Sequence, residues 1–315
     1  MILPRTKEKT NEQNEINNGN NINYPLNSSN TENNNTVTPN TIKKLKEIVN
    51  EADILEIEIM NSLTMPRGIK ININSLGMIE NSKRKAYDGI TYFGFLGDDN
   101  TIDNNNNNDI DFEIKPKENN IENKNLGRYF RIRYDLITSG YLIKDLGCGF
   151  GTFKKITEKT KLKDSYLINI GNSYIVCVFG VDEYNINDDI GLVDADKILN
   201  IKVFSEIQKP DPYFFNPQQY KKIYIGRDIS CNIIIEDTIL SRIHCTIEYQ
   251  EGAGEGWYIY DGKIDEQIEE EKHSTNGTWL YLTEETIIKE GMIFKSNQNQ
   301  YKCHIIKQKK EKVKQ

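Results

Sequence analysis

The chain has 315 residues, of which 37% are hydrophobic, and its formal net charge is −7. The length accommodates two ordinary domains, or one domain with long unstructured additions. Because a surface that follows nucleic-acid phosphates needs clustered Lys and Arg, the negative charge argues against a direct nucleic-acid partner. No apolar run approaches the roughly 18 to 20 residues that span a bilayer, and the first residues lack the apolar centre of a secretory signal, so we expect no membrane association.

The cysteines and histidines do not form the pattern of a metal site. The five cysteines have no CxxC spacing, and each lies in or beside an apolar run where a small buried thiol fits. The three histidines lack metal-ligand spacing. We therefore expect a reduced, intracellular protein without metal or cofactor. The sequence does not distinguish nucleus, cytoplasm and cytoskeleton.

The beginning of the chain differs in composition from the rest. Residues 1–40 consist mainly of Asn, Ser, Thr and Glu, which predicts a disordered arm. Residues 41–54 predict a short amphipathic helix or a linker. From residue 55 onward, short apolar runs separated by Gly, Asn and Asp predict an all-β protein of antiparallel sandwiches.

The strand-like runs fall into two groups, which predicts two sandwiches in tandem. Two low-complexity segments, NNNNND at 104–109 and DEQIEEE at 265–271, lie between strands and predict long loops, because the entropy cost of closing a loop rises slowly with its length. The predicted boundaries are 55–182 for the first sandwich, 183–196 for a linker, 197–308 for the second sandwich and 309–315 for a basic tail.

Four sequence elements follow one another in fixed order in the second group. They are Gly226-Arg227, Ser241-Arg242-Ile243-His244, Ser274-Thr275-Asn276-Gly277-Thr278 and Glu290-Gly291-Met292-Ile293. In this order on a β background, residues 197–308 resemble the forkhead-associated (FHA) family. The resemblance implies a β-sandwich that binds a phosphothreonine-containing protein.

The resemblance assigns three residues to the phosphate. It implies that Arg227 binds the phosphate, that Ser241 donates its hydroxyl to it, and that Arg242 adds a contact. The chemistry agrees, because phosphothreonine carries close to two negative charges and three acceptor oxygens, which a fixed guanidinium and nearby hydroxyl donors can satisfy.

The resemblance also assigns residues to the peptide and to the support of the site. It implies that Asn276 holds the backbone of the bound peptide, with Thr275 close by. Gly226 and His244 are expected to support the loops without touching phosphate, and Gly277 fits a turn with positive φ.

The first group of strands repeats the same order in weaker form. At the places of Arg227, Ser241, His244 and Asn276, the alignment puts apolar or aromatic residues, namely Phe95, Leu126, Tyr129 and Phe150. This predicts a degenerate FHA-like sandwich at 55–182 that keeps the fold, lacks the phosphate chemistry and serves packing or protein interaction.

Two observations leave alternatives open. The segment Asp145-Leu146-Gly147-Cys148-Gly149-Phe150-Gly151 resembles the glycine-rich loop of S-adenosylmethionine-dependent methyltransferases, with FKKITEK after it as a candidate helix, but the further βα units of such an enzyme are missing. The acidic segment 265–271 lengthens the loop before Asn276; it either favours basic residues around the phosphothreonine or is only a solvated loop.

The prediction that follows is a non-enzymatic adaptor that binds phosphothreonine peptides through its second sandwich. The alternative from another class is a structural protein in which both sandwiches only pack against partners.

Overall fold

The computed structural model describes residues 37–97, 110–116, 126–180, 195–205, 212–265 and 270–308, and at residues 195, 265 and 270 it describes the backbone alone. The Asn tract, nearly all of the predicted arm, most of the predicted linker and the tail therefore lie outside the described residues. All described residues belong to one compact unit.

A helix, α1 (Pro39–Glu47), precedes the strands. It begins two residues before the predicted segment. Thr38 caps it, because its hydroxyl oxygen accepts a hydrogen bond from the Thr41 amide at 3.2 Å, and Pro39 fits the first turn, where no amide donor is needed. Leu45 is buried in a sandwich core and docks the helix there.

The described strands are short, and several of them alternate buried and partly buried residues. Up to residue 180 they are β1 (Ile54–Asn61), β2 (Lys70–Asn74), β3 (Gly77–Met78), β4 (Ile90–Phe95), β5 (Phe112–Glu113), β6 (Gly127–Asp135), β7 (Gly140–Asp145), β8 (Thr152–Lys155), β9 (Thr160–Lys161), β10 (Tyr166–Ile170) and β11 (Ser173–Phe179). After a 3-10 turn at Ala195–Lys197 they are β12 (Leu199–Phe204), β13 (Pro212–Phe215), β14 (Lys222–Gly226), β15 (Ile233–Ile234), β16 (Cys245–Gln250), β17 (Gly256–Asp261), β18 (Lys263–Asp265), β19 (Glu270–Lys272), β20 (Thr278–Tyr281), β21 (Thr286–Ile287), β22 (Ile293–Ser296) and β23 (Asn299–Ile306).

One large sheet runs through the described part of the molecule. It has 11 strands in the order β13-β12-β11-β10-β20-β8-β22-β23-β1-β2-β3. Two five-stranded sheets, β21-β7-β6-β4-β5 and β15-β14-β16-β17-β9, pack against its two halves, while β18 and β19 form a separate hairpin. The predicted all-β fold of antiparallel sandwiches is confirmed.

The two sandwiches have separate cores, and these cores group the chain differently from the predicted boundaries. The first core takes its residues from 45–148 and from 282–305. The second core takes its residues from 156–280. The strands at 160–179, which were predicted for the first sandwich, thus complete the second, and those at 286–306 complete the first.

Strand pairing is equivalent in the two sandwiches. In the first, β4 pairs in parallel with β5, β6 pairs with β4 and β7, and β21 pairs with β7. In the second, β14 pairs in parallel with β15, β16 pairs with β14 and β17, and β9 pairs with β17. The second sandwich is therefore completed by the three strands that follow β8, and the first sandwich by the three strands that follow β20.

The chain crosses from one sandwich to the other at β8 and again at β20, and this crossing is called the exchange of strands. The two strands pair antiparallel, with Leu280 opposite Lys154. The links that follow them, 156–159 and 282–285, contain no Gly, Pro, Asn or Asp, so neither has the residues that make a tight turn. Both links begin by extending the hydrogen bonding between β8 and β20. The Ile156 amide donates to the Thr278 carbonyl at 2.8 Å, and the Leu282 amide donates to the Thr152 carbonyl at 3.0 Å. Each chain segment passes straight into the neighbouring sandwich.

A fragment comparison tests this arrangement. Fragment 156–283 contains every buried residue of the second core, whereas fragment 197–308 lacks Ile168, Ile170 and Ile175, which are fully buried in it. Because each lost aliphatic side chain costs about 2–5 kcal/mol, we expect 156–283 to melt cooperatively and 197–308 to remain unfolded, as measured by thermal melts in circular dichroism. An equally cooperative melt of 197–308 would contradict the exchange of strands.

Candidate functional site

Three loops meet at one end of the second sandwich. They follow β14 at residues 227–232, precede β16 at 235–244 and precede β20 at 273–277. Hydrogen bonds join the second loop to each of the other two. The eight residues that the sequence singled out lie on these loops or at their ends, so the fold brings them together.

Gly226 allows the first two loops to approach each other. A Cβ atom at this position would lie 2.2 Å from the carbonyl oxygen of Arg242, closer than side-chain atoms come to backbone. The Asp228 amide donates to that same carbonyl oxygen at 3.1 Å. A glycine is required here by close backbone contact, and its φ is not in the positive range.

Arg227 is exposed but held in place. Its Nε donates to the carbonyl oxygen of Leu240 at 2.8 Å, and its amide donates to the carbonyl of Ser241 at 3.3 Å. Within the described residues, its two terminal guanidinium nitrogens have no hydrogen-bond partner. One edge of the guanidinium is therefore anchored, and the other edge is available to a ligand.

Arg242 and Arg227 both lie near Asp228. Hydrogen bonds from the amide and hydroxyl of Ser230 lower the pKa of Asp228, and the charges of Arg242 and Arg227 add to this effect. Both guanidinium groups thus act on one carboxylate, which brings two cations to the same part of the surface.

Ser241 connects the second loop to the third. Its hydroxyl oxygen accepts a hydrogen bond from the Thr275 amide at 3.0 Å and lies 3.4 Å from the Thr275 hydroxyl. Next to this contact, the Asn276 side-chain amide donates to the Ile239 carbonyl at 2.8 Å. The exposed polar groups of the two loops therefore form one continuous surface.

His244 supports both loops from below and is fully buried. Its Nδ1 accepts a hydrogen bond from the Ser241 amide at 3.2 Å, and its Nε2 donates to the Gly277 carbonyl at 3.1 Å. This requires the neutral ring with its proton on Nε2. Burial lowers the pKa of His244, which favours the same neutral form.

Asp261 is a supporting residue that the sequence reasoning missed. This buried carboxylate accepts hydrogen bonds from the Ser274 amide at 3.0 Å, the Ser274 hydroxyl at 2.6 Å and the Thr278 hydroxyl at 2.7 Å. Together these bonds fix both ends of the loop that carries Asn276. In the sequence, Asp261 is an acidic residue at the end of a strand, and such residues are too common for this one to be identified as a support of the site.

Residues 223–295 match the family model described as FHA domain. This segment is similar to an FHA domain; its part up to Leu280 lies in the second sandwich, which is called the FHA domain below. It contains all three loops, and the match confirms the resemblance recognised in the C-terminal part of the sequence. No curated protein matches the chain.

The FHA domain is supported by residues from outside the predicted segment 197–308. The Asp237 carboxylate accepts a hydrogen bond from the Asn172 amide at 3.1 Å, in the turn between β10 and β11. Lys155 of β8 lies against Gly277, where a Cβ atom would be 2.6 Å from Lys155 Cε. Gly277 also has φ +77°, so a side chain there would be strained for two reasons.

The corresponding loops of the first sandwich have different chemistry. Phe93 pairs with Phe130 as Ile225 pairs with Cys245, which puts Phe95 at the place of Arg227 and Tyr129 at the place of His244. The Phe95 side chain is part of the first core. This end of the first sandwich therefore has a buried, uncharged aromatic residue where the FHA domain has its exposed arginine.

The glycine-rich segment 145–151 connects β7 to β8. Residues 152–155 form a strand, so the candidate helix in FKKITEK was wrong. The physical reason is that this segment pairs with β20 and β22 in the centre of the large sheet. A methyltransferase loop must open a helix, so the geometry does not favour that alternative.

The described residues contain no helix long and apolar enough to cross a membrane. They also contain no cluster of His, Cys, Asp and Glu that could hold a metal ion. All five cysteines are free thiols, four of them buried and Cys148 partly buried.

His244→Ala tests the role of this residue in holding the loops. Leaving the Ser241 amide and the Gly277 carbonyl without partners is expected to cost about 2–4 kcal/mol of the free energy of unfolding at pH 7, measured by urea denaturation. The lowered pKa sets the pH dependence. Below the ordinary value of 6.5 the unfolded chain binds a proton at this position before the folded one does, so this stabilisation decreases as the pH falls.

The difference in stability between wild type and His244→Ala should therefore shrink from pH 7 to pH 5. The comparison removes the effects of the other histidines, since both proteins contain them. A difference that stays constant or grows toward pH 5 would show that His244 is not held neutral.

Proposed function

We propose that this chain is an adaptor that binds phosphothreonine-containing proteins through its FHA domain, with Arg227, Ser241, Arg242, Thr275 and Asn276 as the binding residues. FHA domains are binding modules for phosphothreonine-containing proteins. The observation that carries the proposal is the exposed guanidinium of Arg227, which is anchored on the carbonyl oxygen of Leu240, the residue directly before Ser241.

The chemistry of this surface suits a phosphate group. A phosphothreonine offers three acceptor oxygens, and a guanidinium edge can donate two parallel hydrogen bonds to them. The Ser241 hydroxyl can turn from Thr275 toward the same oxygens, and the Thr275 amide lies beside it. Because Leu240 already fixes Arg227, little side-chain entropy is lost when the phosphate binds.

Asn276 is suited to hold the backbone of the bound peptide. Its side-chain amide nitrogen donates a hydrogen bond to the Ile239 carbonyl, and its side chain is exposed. The side-chain oxygen can accept a hydrogen bond from a peptide amide. The loop is held by Asp261 and His244, so the phosphate contacts and the backbone contact keep a fixed separation.

The first sandwich is proposed to be a degenerate copy with a packing or protein-interaction role. Phe95 and Tyr129 replace the arginine and the histidine, and both are buried. The chain would then have one phosphopeptide site on two sandwiches.

Arg227→Ala tests the proposal. Removing a charge-assisted, bidentate donor commonly costs about 2 kcal/mol or more, which corresponds to an affinity loss of about 30-fold or more. The measurement is the affinity of the full chain for a phosphothreonine peptide selected from a degenerate library, by fluorescence anisotropy. Arg67→Ala, an exposed arginine of the first sandwich with the same charge change, should leave the affinity unchanged.

The alternative is a structural protein whose sandwiches only pack against partners. It is favoured if no peptide of the library binds better than its unphosphorylated form, or if Arg227→Ala and Arg67→Ala have equal effects.

A further inference from the structure

Lys155 lies beside the peptide-binding loop, although it lies outside residues 156–280, which supply the second core. It stands at the end of β8, opposite Trp279 of β20 in the central pair. A Cβ atom at Gly277 would be 2.6 Å from Lys155 Cε and 3.4 Å from Lys155 Nζ, so the stem of the lysine covers this glycine. Gly277 directly follows Asn276. The pairing of β8 with β20 therefore brings a cation from outside residues 156–280 to the binding loop.

The ammonium group of Lys155 is free to meet a ligand. Among the residues that the structure describes, no carboxylate forms an ion pair with it, and its side chain is partly exposed. The nearby Lys295 differs, because its Nζ donates to the Asn169 side-chain oxygen and lies 4.7 Å from the centre of the Trp279 ring. Lys295 is engaged within the sheet, and Lys155 is the lysine that faces the binding loop.

The other end of the same loop has a different electrostatic environment. Before Ser274, the chain comes from the β18–β19 hairpin, where Glu271 lies 3.7 Å from His273. The carboxylate of Glu271 thus lies near the beginning of the loop, and Lys155 lies against Gly277.

We propose that Lys155 is a specificity-determining residue that selects an Asp or Glu in the bound phosphopeptide, at a position next to the residue held by Asn276. The inference rests on the proposed function, since it concerns the same peptide. An ammonium next to the peptide backbone attracts a carboxylate on a side chain of that backbone. Because the pair is partly exposed, we expect a preference of about three- to five-fold for the acidic peptide.

The experiment uses the full chain and a degenerate phosphothreonine library in which each flanking position holds Asp or Glu, Asn or Gln, or Lys. Wild type should prefer the acidic residues at one flanking position. Lys155→Met keeps the aliphatic stem over Gly277 and should lose the preference, while Lys155→Glu should reverse it toward Lys. The control Lys163→Met removes the charge of an exposed lysine after β9 and should retain the preference.

The possible failures are distinguishable. If the library binds through Arg227 but wild type shows no acidic preference, or if the preference survives in Lys155→Met, this inference is wrong and the proposed function stands. If binding does not depend on phosphate or on Arg227, both are wrong. Melting temperatures and the affinities for the neutral peptide, which should agree within about two-fold, show that the variants remain folded.

Discussion

The antiparallel pair of β8 and β20 is the contact on which the rest of this structure depends. It lies at the centre of the 11-stranded sheet, and the chain leaves one sandwich and enters the other on both sides of it. Because the links after these strands lack turn residues, extended pairing continues across the pair and no hairpin forms. The second sandwich is thereby contiguous at 156–280, and the first is built from two separated segments.

This arrangement also determines how the candidate site is supported. Neutral His244 and the Asp261 carboxylate hold the loops through short-range hydrogen bonds within the FHA domain. Two further supports come from residues before the predicted segment 197–308, namely Asn172 on the second loop and Lys155 on Gly277. A phosphate-binding site benefits from rigid loops, because hydrogen-bond donors that are already in place lose little entropy when the ligand binds. Lys155, at the end of β8, adds a charge that residues 156–283 alone would lack.

Much of this could be predicted from the sequence, and the rest could not, for physical reasons. Strand alternation and turn residues indicate an all-β fold, and the motif residues around Arg227, Ser241 and Asn276 indicate which loops meet. Local patterns do not tell which core a strand joins, because β10 has the same apolar pattern whether it completes the first or the second sandwich. The supports from Asn172 and Lys155 depend on that pairing and were hidden for the same reason. FKKITEK suits a helix in isolation, yet pairing with β20 and β22 makes its first residues a strand.

The central claim is that one phosphothreonine peptide binds to the loops of the second sandwich. The most direct measurement is an amide chemical-shift titration of the full chain with a phosphothreonine peptide and with its unphosphorylated form. The account predicts shifts that require the phosphate and centre on the amides of Arg227, Ser241 and Thr275, with those of Phe95 and Phe150 unchanged. Shifts centred on the loops of the first sandwich, or equal shifts with both peptides, would contradict it.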